Sequence, residues 1–178
     1  NHAELMGRRG RYKLSTGDPP FIPGLECGGV IDAVGPGVDE SRIGSRVVVS
    51  PDAPRLAVAG EAGAYGGTYR SCYICRFEQA LDAPDALPDE QLGAVWLAYL
   101  TAWGCLVWQQ NINSDDIVAM PAASSSVALA AAQIVKARGG TTIGLTTSPD
   151  KVETLKQMDT AMYDHLVVTH DEDRQMTK

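Results

Sequence analysis

The sequence predicts an α/β plus β fold, with a small β-barrel piece followed by a parallel sheet flanked by helices. Three observations carry this. Residues 28–50, "GGVIDAVGPGVDESRIGSRVVVS", alternate short β-branched runs with Gly and Pro, the punctuation of short strands. From about residue 115 the rhythm becomes strand, helix, strand, helix, strand. Continuous apolar strands alternating with amphipathic helices imply βαβ units. Between the two lies "LGAVWLAYLTAWGCLVWQ", apolar on most sides and therefore read as a largely buried helix.

The elements follow in order. Val30, Ile31, Ala33 and Val34 form a first strand, Gly35-Pro36-Gly37 turns the chain, and Arg46–Val49 form a second strand. Residues 51–68 are rich in Pro, Ala and Gly with little periodicity, and read as a surface loop. Tyr69–Phe77 returns to strand. Pro88-Asp89-Glu90-Gln91 opens a helix over Leu92–Gln109. Further strands are expected near 117–121, 141–146 and 165–169, with helices near 125–138 and 149–158. The domains predicted are 1–88, a linking helix over 89–110, and 111–178.

Bulk properties exclude several classes. The chain has 178 residues, enough for one good core or two small domains. Its apolar fraction of 44% and charged fraction of 21% are ordinary for a soluble globular protein. A net charge of −7 argues against nucleic acid as a partner. The alanine-rich segment is interrupted by Gln133, Lys136 and Arg138, so no membrane span is expected. No signal-peptide pattern precedes the first helix, and four cysteines without a need for staples fit reduced thiols and a cytoplasmic location. The missing N-terminal methionine suggests a sequence beginning inside a longer gene product.

One turn raises a chemical question. The strand Ile117–Met120 runs into Pro121-Ala122-Ala123-Ser124-Ser125-Ser126, and an alanine-rich helix follows. A helix N-terminus attracts anions because its first N–H groups are unpaired and its dipole is positive there. Ser124, Ser125, Ser126 and the Val127 N–H are candidates for holding a pyrophosphate. Ala128 is small enough for close helix–strand packing. The alternative is a plain serine N-cap.

"PFIPGLECGGVIDAVGPGVDESRIGSRVVV" (20–49) resembles the GroES-like catalytic domain of the medium-chain dehydrogenase/reductase superfamily. Pro20, Gly24, Glu26, Gly29, Val30, Gly35, Val38, Gly44, Arg46 and Val47 carry the likeness. "LTAWGCL" (100–106) resembles the linking helix, and "AASSSVALAAAQIVKARGGTTIGLTTSPDKVETL" (122–155) resembles the first βαβ unit of the nucleotide domain. The resemblance is to zinc-independent, quinone-oxidoreductase-type members, with alcohol dehydrogenase-like relatives sharing the serine turn. It implies a partial GroES-like β-barrel joined to a partial Rossmann domain, because superfamily members are longer at both ends.

The resemblance implies a nicotinamide cofactor. NAD-preferring sites place Asp or Glu at the end of the second strand. Here stand Thr146, Thr147 and Ser148, then Lys151, which suit a 2′-phosphate through charge-assisted hydrogen bonds. NADPH is therefore expected ahead of NADH, against the alternative of a hydroxyl-rich helix cap. Zinc-dependent relatives carry cysteine where Asn1 stands and histidine where Leu25 stands, so no zinc is expected. Cys72 and Cys75, placed in a strand, would point to opposite faces.

The resemblance also implies Asn1 as a polar group near the nicotinamide and Thr101 as a helix-borne cofactor contact. Tyr12 is either a pocket hydroxyl or a packing residue. The expected reaction is hydride transfer from NADPH to a small-molecule quinone or conjugated carbonyl. Alternatives are a non-catalytic shortened relative and alcohol/aldehyde interconversion. Sheet edges left open by a half-built nucleotide domain need cover, so a homodimer is expected.

Overall fold

The computed structural model describes residues 1–11, 22–49, 67–158 and 162–169. Its contacts gather into two compact units, Asn1–Leu97 and Ala98–Lys178. Among the described residues no helix is long and apolar enough to cross a membrane.

In the first unit a short helix, α1 (His2–Arg8), precedes an antiparallel sheet of β1 (Cys27–Val30), β2 (Arg46–Val49) and β3 (Ala80–Asp82), in that order. Cys27 faces Val49 and Val30 faces Arg46 in one ladder; Val47 faces Asp82 and Val49 faces Ala80 in the other. The central strand supplies the core, with Val47, Val48 and Val49 all buried, as suits β-branched side chains on a covered pleat. Helix α2 (Asp89–Leu92) lies directly on β1. A Cβ at Gly28 would meet the Leu92 Cβ and collide, so only glycine permits this approach. Arg46 ties β2 to that helix, its Nε donating to Asp89 Oδ1 at 2.8 Å and its guanidinium also to the Leu87 carbonyl at 2.5 Å.

Three expectations for this unit change. The first strand is Cys27–Val30, and Ile31–Gly35 continues outside the ladder. Tyr69–Phe77 is irregular backbone leading into a 3-10 turn at Phe77–Gln79; the strand is the following Ala80–Asp82. Arg42 secures it, pairing with Asp82 at 2.9 Å, donating to the Ala80 carbonyl at 3.1 Å and lying over the Phe77 ring. Of the expected loop, residues 51–66 lie outside the described residues, whereas Gly67 and Thr68 are buried.

The long helix expected over Leu92–Gln109 is broken. After α2 the chain turns at Gly93–Val95, and α3 (Trp96–Trp103) then follows, passing into a π-wound stretch at Gly104–Gln109. Glycine at the break and at the change of winding accounts for both, since it is the weakest helix former short of proline.

In the second unit β4 (Ile117–Met120), β5 (Thr141–Thr146) and β6 (His165–Val168) pair in parallel, in that order. Helices α4 (Ser126–Ala137) and α5 (Pro149–Gln157) form the crossovers. These elements match the expected ones to within a residue or two. Met120, Thr142, Gly144 and Thr146 form a buried row on one side of the sheet. The core gathers Met120 with Ala128, Ala130, Ala131, Ala132, Ile134 and Val135 of α4, and with Ala98, Ala102 and Ile112. Alanine at so many of these positions lets helix and sheet backbones approach closely. On the opposite row, Ile117, Ala119 and His165 are exposed and Val167 is 44% exposed, while Ile143 and Leu145 are partly buried.

Candidate functional site

The serine turn lies at the carboxyl end of β4. Ala122 adopts φ of 51°, the left-handed region that a non-glycine residue rarely enters. The Ser125 N–H then donates to the Ala122 carbonyl at 2.7 Å, and the fully buried Ala123 donates its N–H to the Leu145 carbonyl of β5 at 3.0 Å. Ser125 is the N-cap of α4: its Oγ accepts from the Ala128 N–H at 3.3 Å. Its hydroxyl therefore does what a plain cap does. Ser124 and Ser126 keep exposed side chains. The N–H groups of Ser126 and Val127 fall in the first helical turn, where no carbonyl of the helix can reach them. No acidic side chain stands in that turn.

The end of β5 lies beside it, because Met120 pairs with Gly144 and Ala123 bonds to Leu145. Thr146 is buried, and its Oγ1 accepts from the Ser148 N–H at 3.2 Å, so this hydroxyl closes its own turn. Thr147 and Lys151 are exposed, and Ser148 caps α5 without a side-chain bond. Lys151 carries no ion pair among the described residues, while Asp150 shares the same first turn. Two helix N-termini thus open at the carboxyl edge of neighbouring parallel strands, the place where open α/β sheets bind ligands. The exposed N–H groups, the hydroxyls of Ser124, Ser126 and Thr147, and the Lys151 ammonium form a donor set that fits a diphosphate with a further phosphate.

Of the remaining expected residues, Tyr12 lies outside the described residues, and Thr101 is an exposed residue of α3. Asn1, in the first unit, donates its Nδ2 to Glu26 Oε1 at 2.9 Å. The other Glu26 oxygen accepts the Leu97 N–H at 2.7 Å, and the Glu26 carbonyl accepts from Thr68 Oγ1 at 2.6 Å. Glu4 makes a second buried acceptor, receiving the Asn1 backbone nitrogen at 2.5 Å and the Leu25 N–H at 2.9 Å. Asn1 is thus anchored by a carboxylate that sequence reading used only as a motif letter.

The four cysteines are free. Cys72 and Cys75 sit on irregular backbone, so the alternation expected of a strand does not govern where their thiols point. Burial, then the neighbouring Cys75 and Glu26, push the Cys27 thiol up to about 11, leaving it protonated at neutral pH. Among the described residues no three His, Cys, Asp or Glu side chains converge as a metal ion requires.

Residue partners distant in sequence were the ones missed. Tyr163, just before β6, donates its hydroxyl to the Ala123 carbonyl at 2.8 Å, beneath the serine turn. Asp164 accepts from Lys136 Nζ at 2.6 Å and from the Thr142 N–H at 2.8 Å. The only local signal for either is a polar pair, Tyr163-Asp164, directly before an apolar strand.

Residues 1–85 match the family described as "Alcohol dehydrogenase GroES-like domain". The chain is 28% identical over 157 residues to the synaptic vesicle membrane protein VAT-1 homolog of Danio rerio, covering 88% of this chain and 30% of that protein. A solved quinone oxidoreductase from Pseudomonas syringae is 26% identical with a TM-score of 0.70, covering 99% of this chain and 49% of that one. A solved NAD-dependent alcohol dehydrogenase is 28% identical with a TM-score of 0.75, covering 99% and 56%. The chain therefore spans less than a third of that curated relative and about half of these solved chains. Residues 1–85 thus belong to the alcohol dehydrogenase GroES-like domain family, and with the partial Rossmann unit that follows them the chain resembles medium-chain dehydrogenases/reductases.

Proposed function

We propose that the protein is an oxidoreductase that binds NADPH at the serine turn and reduces a quinone or conjugated carbonyl without zinc. The observation that carries this reading is the open N-terminus of α4 at the carboxyl edge of the parallel sheet, free of acidic side chains and beside the exposed Thr147 and Lys151. Bound there, the cofactor would supply the hydride. The chain's own part is to hold it: the Ser126 and Val127 N–H groups with the Ser124 and Ser126 hydroxyls on the pyrophosphate, Thr147, Ser148 and Lys151 toward the 2′-phosphate. Thr101 as a cofactor contact, Asn1 beside the nicotinamide and Tyr12 as a hydroxyl for charge developing on the carbonyl oxygen rest on the family resemblance. The likeness to a quinone oxidoreductase supports the substrate class.

The likeness to an NAD-dependent alcohol dehydrogenase favours a second reading, NADH with alcohol or aldehyde chemistry. A cytoplasmic location is in keeping with four free thiols. A homodimer would cover exposed apolar groups such as Ile117 and Val167.

Titration of NADPH fluorescence with the purified protein, followed by turnover with a simple quinone, tests the proposal. Saturable binding with turnover is expected. Binding without turnover would leave a cofactor-binding, non-catalytic relative, and absence of binding to either nicotinamide would exclude both enzymatic readings.

A further inference from the structure

Ala122 is the strained point of the cofactor turn. At φ of 51° its Cβ crowds the backbone, and alanine left to itself would leave this conformation. Two hydrogen bonds hold the chain immediately after it. The peptide after Ala122 is fixed by the Ala123 N–H on the Leu145 carbonyl, at 3.0 Å. The next peptide is fixed by the Tyr163 hydroxyl on the Ala123 carbonyl, at 2.8 Å.

Tyr163 is itself firmly presented. The fully buried Thr142 donates its hydroxyl to the Met162 carbonyl at 2.8 Å and its N–H to Asp164 Oδ2 at 2.8 Å, which pins the residues on either side. The ring fills the space that a side chain at position 144 would need: a Cβ on Gly144 would lie 2.9 Å from Tyr163 Cδ1 and 3.0 Å from Ala123 Cβ. Burial pushes the phenol up to about 12, so the hydroxyl stays a donor across the working range of pH.

We propose that Tyr163 is a positioning residue for the serine turn: its hydroxyl holds Ala122 in the left-handed conformation and so aims the Ser126 and Val127 N–H groups at the cofactor diphosphate. The inference rests on the reading of this turn as the NADPH site, but the clamp itself can be tested without cofactor. A merely space-filling tyrosine would be replaced by phenylalanine without local effect, since the ring remains.

The test compares wild type, Tyr163→Phe, Ala122→Gly and the double variant in the full chain. Amide hydrogen exchange over residues 123–128 is read first, then NADPH affinity by fluorescence. Tyr163→Phe is expected to speed exchange at the turn and to weaken NADPH roughly three- to tenfold, the range for one buried neutral hydrogen bond. Ala122→Gly should restore both in the Tyr163→Phe background, because glycine enters the left-handed region without strain. Unchanged exchange in Tyr163→Phe, or no rescue by glycine, would overturn the clamp. If wild type fails to bind NADPH, the functional reading falls while exchange and rescue still decide the clamp.

Discussion

The Glu26 carboxylate holds the Asn1 side-chain amide at 2.9 Å, and because an ionised carboxylate only accepts, the Asn1 nitrogen must be the atom that faces it. Its second oxygen takes the Leu97 N–H at 2.7 Å, in the first turn of α3. Glu26 itself is only 7% exposed, so its carboxylate relies on these protein donors rather than on water. Glu26→Gln puts an N–H donor in place of one acceptor, so either Asn1 or Leu97 loses its partner. The expected cost is about 1–3 kcal/mol of stability, read as a lower urea midpoint with an unchanged m value.

Asp164 carries a pH dependence. The hydrogen bond from Lys136, then that from the Thr142 N–H, hold its carboxyl down to about 2. A folded value below the unfolded carboxylate value, about 3.9, means that the stabilisation is fully present above pH 4. It is lost as pH falls from there through about 2. Asp164→Asn should flatten that part of the stability–pH curve while leaving its shape above pH 5 unchanged. An unaltered slope between pH 4 and 2 in the variant would show that other carboxylates set the acid limb.

Gly144 predicts a packing effect. A Cβ at this position in β5 would come 2.8 Å from Leu166 Cδ2, 2.9 Å from Tyr163 Cδ1 and 3.0 Å from Ala123 Cβ. The leucine can rotate, but Ala123 is fully buried and bonded through its N–H to Leu145, so its Cβ moves only with its backbone. Gly144→Ala is expected to cost about 1–3 kcal/mol, measured by thermal melting. It should also displace the serine turn, seen as chemical-shift changes at Ala123 and Ser125.

The parts legible in the sequence are those set by local pattern. Ile117–Met120, Thr141–Thr146 and the alanine-rich helix between them were readable because an apolar parallel strand and an amphipathic helix each declare themselves within a few residues. The first unit was harder for a physical reason. Gly28 and Gly29 look like breakers, yet they lie within β1, and Gly28 is there to admit Leu92, sixty-four positions away. Tyr69–Phe77 has the composition of a strand, but Ile74 is 90% exposed and the ladder with β2 starts only at Ala80. Partners on β2 decide the pairing, and local preference yields to them. At the site, the serines and Lys151 stand out as polar residues in a known kind of turn. Tyr163 does not, because its partner Ala123 lies forty residues earlier and contributes only a carbonyl.

On the proposed NADPH reading, Lys151 is the residue that sets the choice between the two nicotinamide cofactors. It is exposed in the first turn of α5, next to the exposed Thr147 at the end of β5. A 2′-phosphate there would gain a charge-assisted bond from the ammonium, whereas a 2′-hydroxyl has no charge to offer it. Asp150 in the same turn opposes a phosphate, but as an exposed group it is screened by solvent. Lys151→Ala is therefore expected to weaken NADPH roughly fivefold or more, as loss of a charged hydrogen bond does, and to leave NADH nearly unchanged. Adding Asp150→Asn to the lysine-bearing chain should shift preference further toward NADPH. The two affinities measured side by side, at fixed ionic strength, decide it: equal loss for both cofactors in Lys151→Ala would remove the 2′-phosphate assignment and favour the NADH reading.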